Sequence, residues 1–524
     1  MTNSFAELAH SKCLFVIGSN TTVAHPMVGM RLIEGRRNGG RLIVADPRRT
    51  ALAKLADIHL RLRPGTDVPL INGLMHIICE HGWQNSNFIS TRTENFEELH
   101  DSLRQWTPKY VADVTGVPQD MLLRAAELYA RSEASAIVYC LGITQHRCGV
   151  NNVRSLANLA MLCGQVGRAY TGVNPLRGQN NVQGACDMGG LPNYYPGYQK
   201  VEDCAARAKF EAAWGCTLPA RNGLTTIEMM HALHDGHIKA MIIMGENPVV
   251  SDPDAGHAAE ALSRAEFLLC LDIFPTPTTE LAHMVLPGAS FAESEGTFTN
   301  SERRVQRVRQ AIPPLAGRTN SQIIAALSRR LGHVMPNDEP CDIFDEMCAL
   351  TPIMAGMSHA RLDTQSLCWP CPHQEHPGTP ILHQTGFTRG RGLFAAIPHV
   401  PPAELPDEEY PFLLSTGMRH AHYLTGTMTR RCGILERELP ELTADIAPAD
   451  ARRLNIREGA RMRLTSRRGS IVSRMHITDS VPEGVIFAPL HFAEAMVNLL
   501  TCPALDPVSK TPEYKISAIR LEKV

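Results

Sequence analysis

The sequence predicts an α/β protein built on parallel sheets, and two observations predict it. Apolar runs of strand length end in glycine or aspartate and are separated by helix-length stretches, and this βαβ pattern occurs twice at nearly the same spacing. In the first copy, Cys-Leu-Phe-Val-Ile lies between Lys12 and Gly18 and is followed by Gly-Ser-Asn. Pro26 suits a first helical position, a helix through Met30, Leu32 and Ile33 would stop at Gly39 and Gly40, and Leu42 to Val44 form a second strand ending at Asp46 and Pro47. In the second copy, Ala240 to Met244 is closed by Gly245, Glu246 and Asn247, and Leu268 to Leu271 is closed by Asp272. Gly18 and Asp46 are 28 residues apart, and Gly245 and Asp272 are 27 apart. Open α/β sheets bind nucleotide-like ligands at the carboxyl ends of their strands, so each unit is suited to hold one such group. Neither has a Gly-x-Gly-x-x-Gly loop, which weakens an NAD-binding reading, and a glycine after a strand is also ordinary turn chemistry.

Two further strand ends carry polar groups. Arg63-Pro-Gly-Thr-Asp67 follows a strand around Ile58 to Leu62, and Leu141-Gly-Ile-Thr-Gln145 follows Ala136 to Cys140. Thr66 and Asp67 equally suit the cap of a helix beginning near Val68. The densest polar stretch, Asn174-Pro-Leu-Arg-Gly-Gln-Asn-Asn-Val-Gln-Gly184 continuing to Gly190, has no helix or strand period. Amides between glycines, with one arginine, offer fixed donors and acceptors to a ligand that the backbone can approach closely.

Composition bounds the rest. At 524 residues the chain exceeds the size of one hydrophobic core, so several domains are expected. A net charge of −2 with both signs interspersed argues against nucleic acid as a partner. No basic leader precedes an apolar run and no apolar stretch is long enough to span a membrane. Fifteen scattered cysteines suit reduced thiols and a cytoplasmic setting, with Cys368 and Cys371 expected to be structural or incidental.

Several segments, in order, resemble one family. They are Gly18-Ser-Asn20 with His25-Pro26, Val44-Ala-Asp-Pro-Arg48, Arg177-Gly-Gln-Asn-Asn-Val-Gln-Gly-Ala-Cys-Asp-Met-Gly189, Met244-Gly-Glu-Asn-Pro248, Leu286-Pro287 with Glu293-Ser-Glu-Gly296, Gly426-Thr-Met-Thr-Arg430 and Lys510-Thr-Pro-Glu-Tyr-Lys515. Together they resemble the molybdenum and tungsten bis-pyranopterin oxidoreductases, and most closely the catalytic subunit of formate dehydrogenases. The resemblance implies two Rossmann-like parallel-sheet units of the bis-pterin oxidoreductase fold plus a C-terminal β-barrel, the latter matching short β-type segments at Arg461 to Thr465, Ile471 to His476 and Val485 to Pro489. The implied domains are 1–174, 175–341, a connection at 342–405, and 406–524. The implied cofactor is bis-molybdopterin guanine dinucleotide. Gly18, Asn20, Asp46, Arg48, Gly65, Thr66, Asp67 and Gln145 would line one dinucleotide, and Gly245, Glu246, Asn247 and Asp272 the other, with Arg419, His422, Asn498 and Lys515 closing from the barrel side. For His422 an ordinary structural histidine is an equal alternative. Arg177 corresponds to the active-site arginine, suited to hold the formate carboxylate, with Gln179 nearby.

The resemblance also implies what this sequence does not contain. Family members begin with four cysteines that hold a [4Fe–4S] cluster, then carry a metal-ligating selenocysteine or cysteine followed by a catalytic histidine. No Cys-x-x-Cys-x-x-x-Cys run is present, so the cluster is expected in an N-terminal part and no residue here is assigned to the metal. One expectation is that Met1 is an internal methionine of a longer frame, interrupted where a selenocysteine codon was read as a stop. The implied activity is oxidation of formate to carbon dioxide in anaerobic respiration, with electrons passing to a ferredoxin-like, hydrogenase or NAD-reducing subunit. The alternatives are a noncatalytic scaffold of the same fold, or a reductase of nitrate or another oxyanion.

Overall fold

The computed structural model describes residues 1–335 and 337–524 and contains two compact units. The first comprises Met1–Leu176, Val249–His257 and Ile381–Val524, and the second comprises Arg177–Pro248 and Ala258–Pro380.

In the first unit, β1 (Cys13–Ile17), β2 (Arg41–Ala45), β3 (Ile58–Leu60), β4 (Ser135–Tyr139) and β5 (Gly172–Pro175) form one sheet. Its order is β3-β2-β1-β4-β5 with every neighbouring pair parallel. β1 reads as an unbroken apolar run because both of its faces are covered. Cys13, Phe15 and Ile17 enter one core, and Leu14 and Val16 enter the other. Helix α1 (Pro26–Arg37) starts on its proline and returns the chain to β2. Helix α2 (Asp67–Glu80) supplies Leu70, Ile71, Leu74 and Ile78 to the same core as Phe15.

Strand order reverses at β1, with β2 on one side and β4 on the other, which opens a crevice at the carboxyl ends. Gly18 ends β1 with φ of +57°, and a Cβ there would lie 2.7 Å from the carbonyl carbon of Gly142. The Gly142 N–H donates to the Gly18 carbonyl at 3.0 Å, so the two backbones meet where no side chain fits.

In the second unit, β6 (Ala240–Met244), β7 (Phe267–Asp272) and β8 (Met284–Pro287) form a parallel sheet with β7 central. The repeated sequence pattern is therefore parallel sheet in both copies. The second sheet differs in its covering: Ile243 is buried, whereas Ile242 is 64% and Met244 48% exposed, beside exposed Phe267, Met284 and Val285. Such a face is apolar without being internal. An antiparallel sheet of β9 (Gly296–Thr299), β10 (Arg304–Val308) and β11 (Leu367–Cys368) follows. Val305 and Leu367 from it pack with Phe344, Met347 and Cys371. Cys368 and Cys371 are both buried and unbridged.

The first unit also contains a closed barrel of β12 (Phe412–Gly417), β13 (Thr443–Ile446), β14 (Arg461–Thr465), β15 (Ser470–Ile477), β16 (Val485–Pro489) and β17 (Ser517–Lys523). Its order is β12-β16-β13-β15-β14-β17, and along β15 Ile471, Ser473 and Met475 point inward while Arg474 and His476 face solvent. The α/β class with a terminal barrel is thus as the sequence predicts. Among the described residues no helix is long and apolar enough to cross a membrane.

Gly18→Ala places a Cβ against the Gly142 backbone and holds an L-residue in left-handed geometry, which alone costs roughly 1–2 kcal/mol. The expected result is a lower midpoint of thermal unfolding, measured by scanning calorimetry. An unchanged midpoint contradicts the steric reading.

Candidate functional site

At the carboxyl edge of the first unit's parallel sheet, a cluster of cations meets the barrel. Asp46 follows β2, and its Oδ1 accepts the Arg48 N–H at 2.8 Å. The Arg48 guanidinium lies over the Phe487 ring, 3.7 Å from its centroid. Arg419, just after β12, approaches the same ring at 5.3 Å and donates to Asp445 at 2.5 Å. Asp445 and Phe487 are opposed across β13 and β16, so barrel register sets this pairing. The Lys515 ammonium donates to the Thr416 carbonyl at 2.9 Å, while the Thr416 hydroxyl donates to the Tyr514 carbonyl at 2.8 Å.

The titration behaviour follows from crowding these charges away from water. Burial pushes the Asp46 carboxyl above its usual range, opposed by the charge and N–H of Arg48. Burial lowers Arg48. Lys515 is pulled down to about 8, chiefly by burial, with Cys140 opposing and the Arg48 charge adding to the fall. Asp67, buried at the start of α2, is raised to about 7 by burial against its own backbone hydrogen bond, with the Asp46 charge adding. Cations held in such surroundings are stabilised by a polyanion, and the planar fork of arginine suits phosphate oxygens.

The other sequence-predicted residues of this unit lie around that edge with differing freedom. Asn20 and Gln145 are half-buried at the ends of the short helices Thr21–Ala24 and Leu141–Thr144. Gly65 has φ of +80°, and a Cβ there would meet Pro402 at 2.4 Å. The Thr66 hydroxyl donates to the Arg63 carbonyl at 2.7 Å instead of capping α2. The Asn498 amide donates to the Val250 and Ser251 carbonyls, each at 2.9 Å. His422 is fully enclosed, with Nε2 on the Leu439 carbonyl at 2.7 Å and Nδ1 3.3 Å from the Thr429 hydroxyl, so both ring nitrogens are engaged within its own loop.

Three residues of this site carried no signal in the sequence. Phe487 and Asp445 lie in ordinary barrel strands. The third, His491, shapes the loop that carries Arg419. Its Nδ1 meets the Leu424 carbonyl at 2.6 Å and its Nε2 accepts the Arg419 N–H at 2.9 Å, which requires the neutral ring. Burial holds its pKa down to about 4.

In the second unit, Gly245 closes β6 with φ of +64°, and its N–H donates to the Leu271 carbonyl at 2.9 Å. That bond sets it beside the end of β7, where Asp272 lies. Glu246 is solvent-accessible, yet the surrounding protein displaces enough water to raise its carboxyl, opposed by the Asn247 N–H and assisted by the Asp272 charge. The buried Asn247 accepts from the Thr278 hydroxyl at 2.8 Å. Arg177 and Gln179 sit in the polar segment of the same unit. Arg177 is half-buried, its N–H donates to the Ser301 hydroxyl at 3.0 Å, and its Nε donates to Gln183 Oε1 at 3.2 Å. Gln179 is exposed. Gln183 was given no role by the sequence reading, although it lies within the quoted motif.

The family model for molybdopterin oxidoreductases matches residues 1–330, and that for the molybdopterin dinucleotide-binding domain matches residues 412–518. The chain belongs to the molybdopterin oxidoreductase family. It is similar to the F420-dependent formate dehydrogenase subunit alpha of Methanocaldococcus jannaschii, at 44% identity over 529 residues that span 100% of this chain and 78% of the relative. Formate dehydrogenase H of Escherichia coli is 38% identical over 532 residues, covering 100% and 74% of the two chains. Among solved structures, acetylene hydratase from Pelobacter acetylenicus superposes with a TM-score of 0.78 at 20% identity, covering 100% of this chain and 79% of its own, a likeness of fold.

The residues of this molybdopterin oxidoreductase fit a molybdopterin dinucleotide. Arg48, Arg419 and Lys515 gather at one sheet edge, and the Gly18 turn admits no side chain of its own beside that edge. This donor set suits the diphosphate of such a group.

Because Lys515 loses its proton near pH 8, affinity for a polyanion at this edge is expected to fall as pH rises from about 7 to about 9. Calorimetric titration with inorganic pyrophosphate checks this: Lys515→Met weakens binding at neutral pH, and Lys515→Arg, which stays charged, flattens the dependence. His491 titrates near 6.5 when unfolded and near 4 when folded, so its contribution to stability is present above about 6.5 and is lost as pH falls towards 4. Hydrogen-exchange protection of the Arg419 amide is expected to drop in that window, and His491→Gln, which does not titrate, to remove the drop.

Proposed function

We propose that this molybdopterin oxidoreductase oxidises formate, one HCOO⁻ giving carbon dioxide, one proton and two electrons. The observation that carries the reading is Arg177, a half-buried guanidinium anchored through Nε at the head of an amide- and glycine-rich segment. Support comes from similarity to a formate dehydrogenase alpha subunit over 100% of this chain and 78% of that relative. In this reading the Arg177 fork holds both oxygens of formate and so fixes the direction of its C–H, with Gln179 completing the polar wall. Bound bis-molybdopterin guanine dinucleotide, with molybdenum or tungsten, supplies the two-electron acceptor. Arg48 and Lys515 take the diphosphate of one dinucleotide and Asp46 its guanine or ribose donors, while Gly18, Asn20, Gly65, Thr66, Asp67 and Gln145 line the same group. Arg419, His422 and Asn498 shape the barrel side, and Gly245, Glu246, Asn247 and Asp272 line the second dinucleotide.

The sequence holds no four-cysteine run, so the [4Fe–4S] cluster of this reading is supplied by polypeptide other than these 524 residues. The electrons then pass to a ferredoxin-like, hydrogenase or NAD-reducing subunit in the cytoplasm.

The test is formate-dependent dye reduction by protein produced from its native locus with flanking DNA intact, beside the 524-residue chain alone, with metal and pterin measured in both. Expected are metal, pterin and formate oxidation in the former, and a loss of about 10²-fold in kcat/KM on Arg177→Lys, which keeps charge but not the fork. Bound pterin and metal without formate oxidation overturns the reading in favour of a scaffold or another substrate.

A further inference from the structure

Asp187 is a carboxylate enclosed in the second unit with no direct part in the proposed reaction. It is 1% exposed. Its Oδ1 accepts from Gln183 Nε2 at 2.9 Å and from the Tyr198 hydroxyl at 2.8 Å, and its Oδ2 accepts from Trp369 Nε1 at 2.9 Å. Burial raises its pKa, and the donors of Gln183, Tyr198, Trp369 and Thr299 hold it back. A buried carboxylate supplied with this many donors remains an acceptor.

That acceptor decides which way Gln183 points. Gln183 is 6% exposed, four residues before Asp187 on the helix Val182–Asp187, so the two side chains share a face. Its Nε2 donates to Asp187 Oδ1 at 2.9 Å and to the Tyr198 oxygen at 2.7 Å. A carboxylate cannot donate, so the amide cannot turn over without setting its oxygen against Asp187. Its Oε1 is therefore left to accept from Arg177 Nε, which it does at 3.2 Å. Guanidinium, amide and carboxylate form one chain of fixed hydrogen-bond polarity.

We infer that Asp187 and Gln183 are positioning residues for Arg177, with Asp187 locking the Gln183 amide so that its oxygen, not its nitrogen, meets the guanidinium and sets the direction of the fork. This rests on the reading of Arg177 as the formate-binding arginine. Tyr198 and Trp369 hold the carboxylate from its remaining sides and act through it.

Asp187→Asn tests the lock because it changes hydrogen-bond polarity with almost no change in shape. The side-chain amide introduced there can offer an N–H to Gln183, which frees the Gln183 amide to turn and present a donor to Arg177. The expected result, in the cofactor-loaded enzyme, is a weaker formate dissociation constant and a higher formate KM by about tenfold, the size of one hydrogen bond to a charged group. Pterin content and thermal midpoint should stay near those of the parent. Combining Asp187→Asn with Gln183→Glu restores an acceptor facing Arg177, and formate affinity should recover to within about threefold. In an Arg177→Lys background, Asp187→Asn should add nothing. Where Asp187→Asn does not accumulate, Gln183→Met reads the same link and leaves Asp187 bonded to Tyr198 and Trp369.

The inference is overturned if these variants lower the thermal midpoint while formate binding is unchanged, or if the Asp187→Asn effect adds in full to that of Arg177→Lys. If Arg177→Lys itself leaves formate binding unaltered, the assignment of Arg177 fails, which is distinct from failure of the lock.

Discussion

A parallel sheet covered on both faces has no place for polar chemistry except the ends of its strands, and the first unit is organised by that constraint. Cys13 to Ile17 is buried at every position, with alternate residues feeding opposite cores. The strand must therefore be apolar throughout. Turn-forming and polar residues follow only where it stops, at Gly18 and Asn20, and likewise after β2 at Asp46 and Arg48. The reversal of strand order at β1 makes those ends a topological switch point, the place where open α/β sheets bind ligands. The closeness of Gly18 to Gly142 belongs to the same design, since a side chain at either would separate the two strand ends.

Charges enclosed in protein need partners, and the chain meets that need in two ways. At the sheet edge, Arg48 and Arg419 both lie over the Phe487 ring, Arg419 is bonded to Asp445, and Lys515 is held by a carbonyl. Burial is what chiefly lowers the pKa of Lys515 there, with the Arg48 charge adding to the fall and Cys140 and Asp46 opposing it. Around Asp187 a single carboxylate is saturated by neutral donors. The first arrangement suits a ligand that brings negative charge. The second suits a fixed support, because nothing is gained by moving it.

Much of this was legible in the sequence where the signal is local. The strand ends at Gly18, Asp46, Gly245 and Asp272 and the helix beginning at Pro26 follow from apolar runs closed by turn formers, and the barrel strands at Arg461–Thr465 and Val485–Pro489 from short β-type segments. Local patterns were mute on covering: Ala240–Met244 is as apolar as β1, yet Ile242 and Met244 face outward. They were also mute on how polar side chains are spent. Asn498 looks as available as Arg48 in the sequence, but its amide nitrogen meets two backbone carbonyls, whereas Arg48 lies on Phe487.

The sequence by itself determined the α/β class, the twofold occurrence of a parallel strand–helix–strand pattern, the terminal barrel by resemblance, and the segment in which Arg177 lies. These depend on properties that neighbouring residues share: apolar periodicity, the glycine needed where φ is positive, and the order of motifs. Tertiary structure alone decided that Phe487 serves two arginines, that His491 shapes the loop of Arg419, and that Asp187 orients Gln183 towards Arg177. The first two join residues far apart in the chain through barrel register and loop packing. The third joins neighbours, yet depends on Tyr198 and Trp369 arriving from elsewhere to fill the remaining hydrogen bonds. A hydrogen bond has a direction that side-chain identity leaves open, and only the full set of surrounding donors and acceptors closes it.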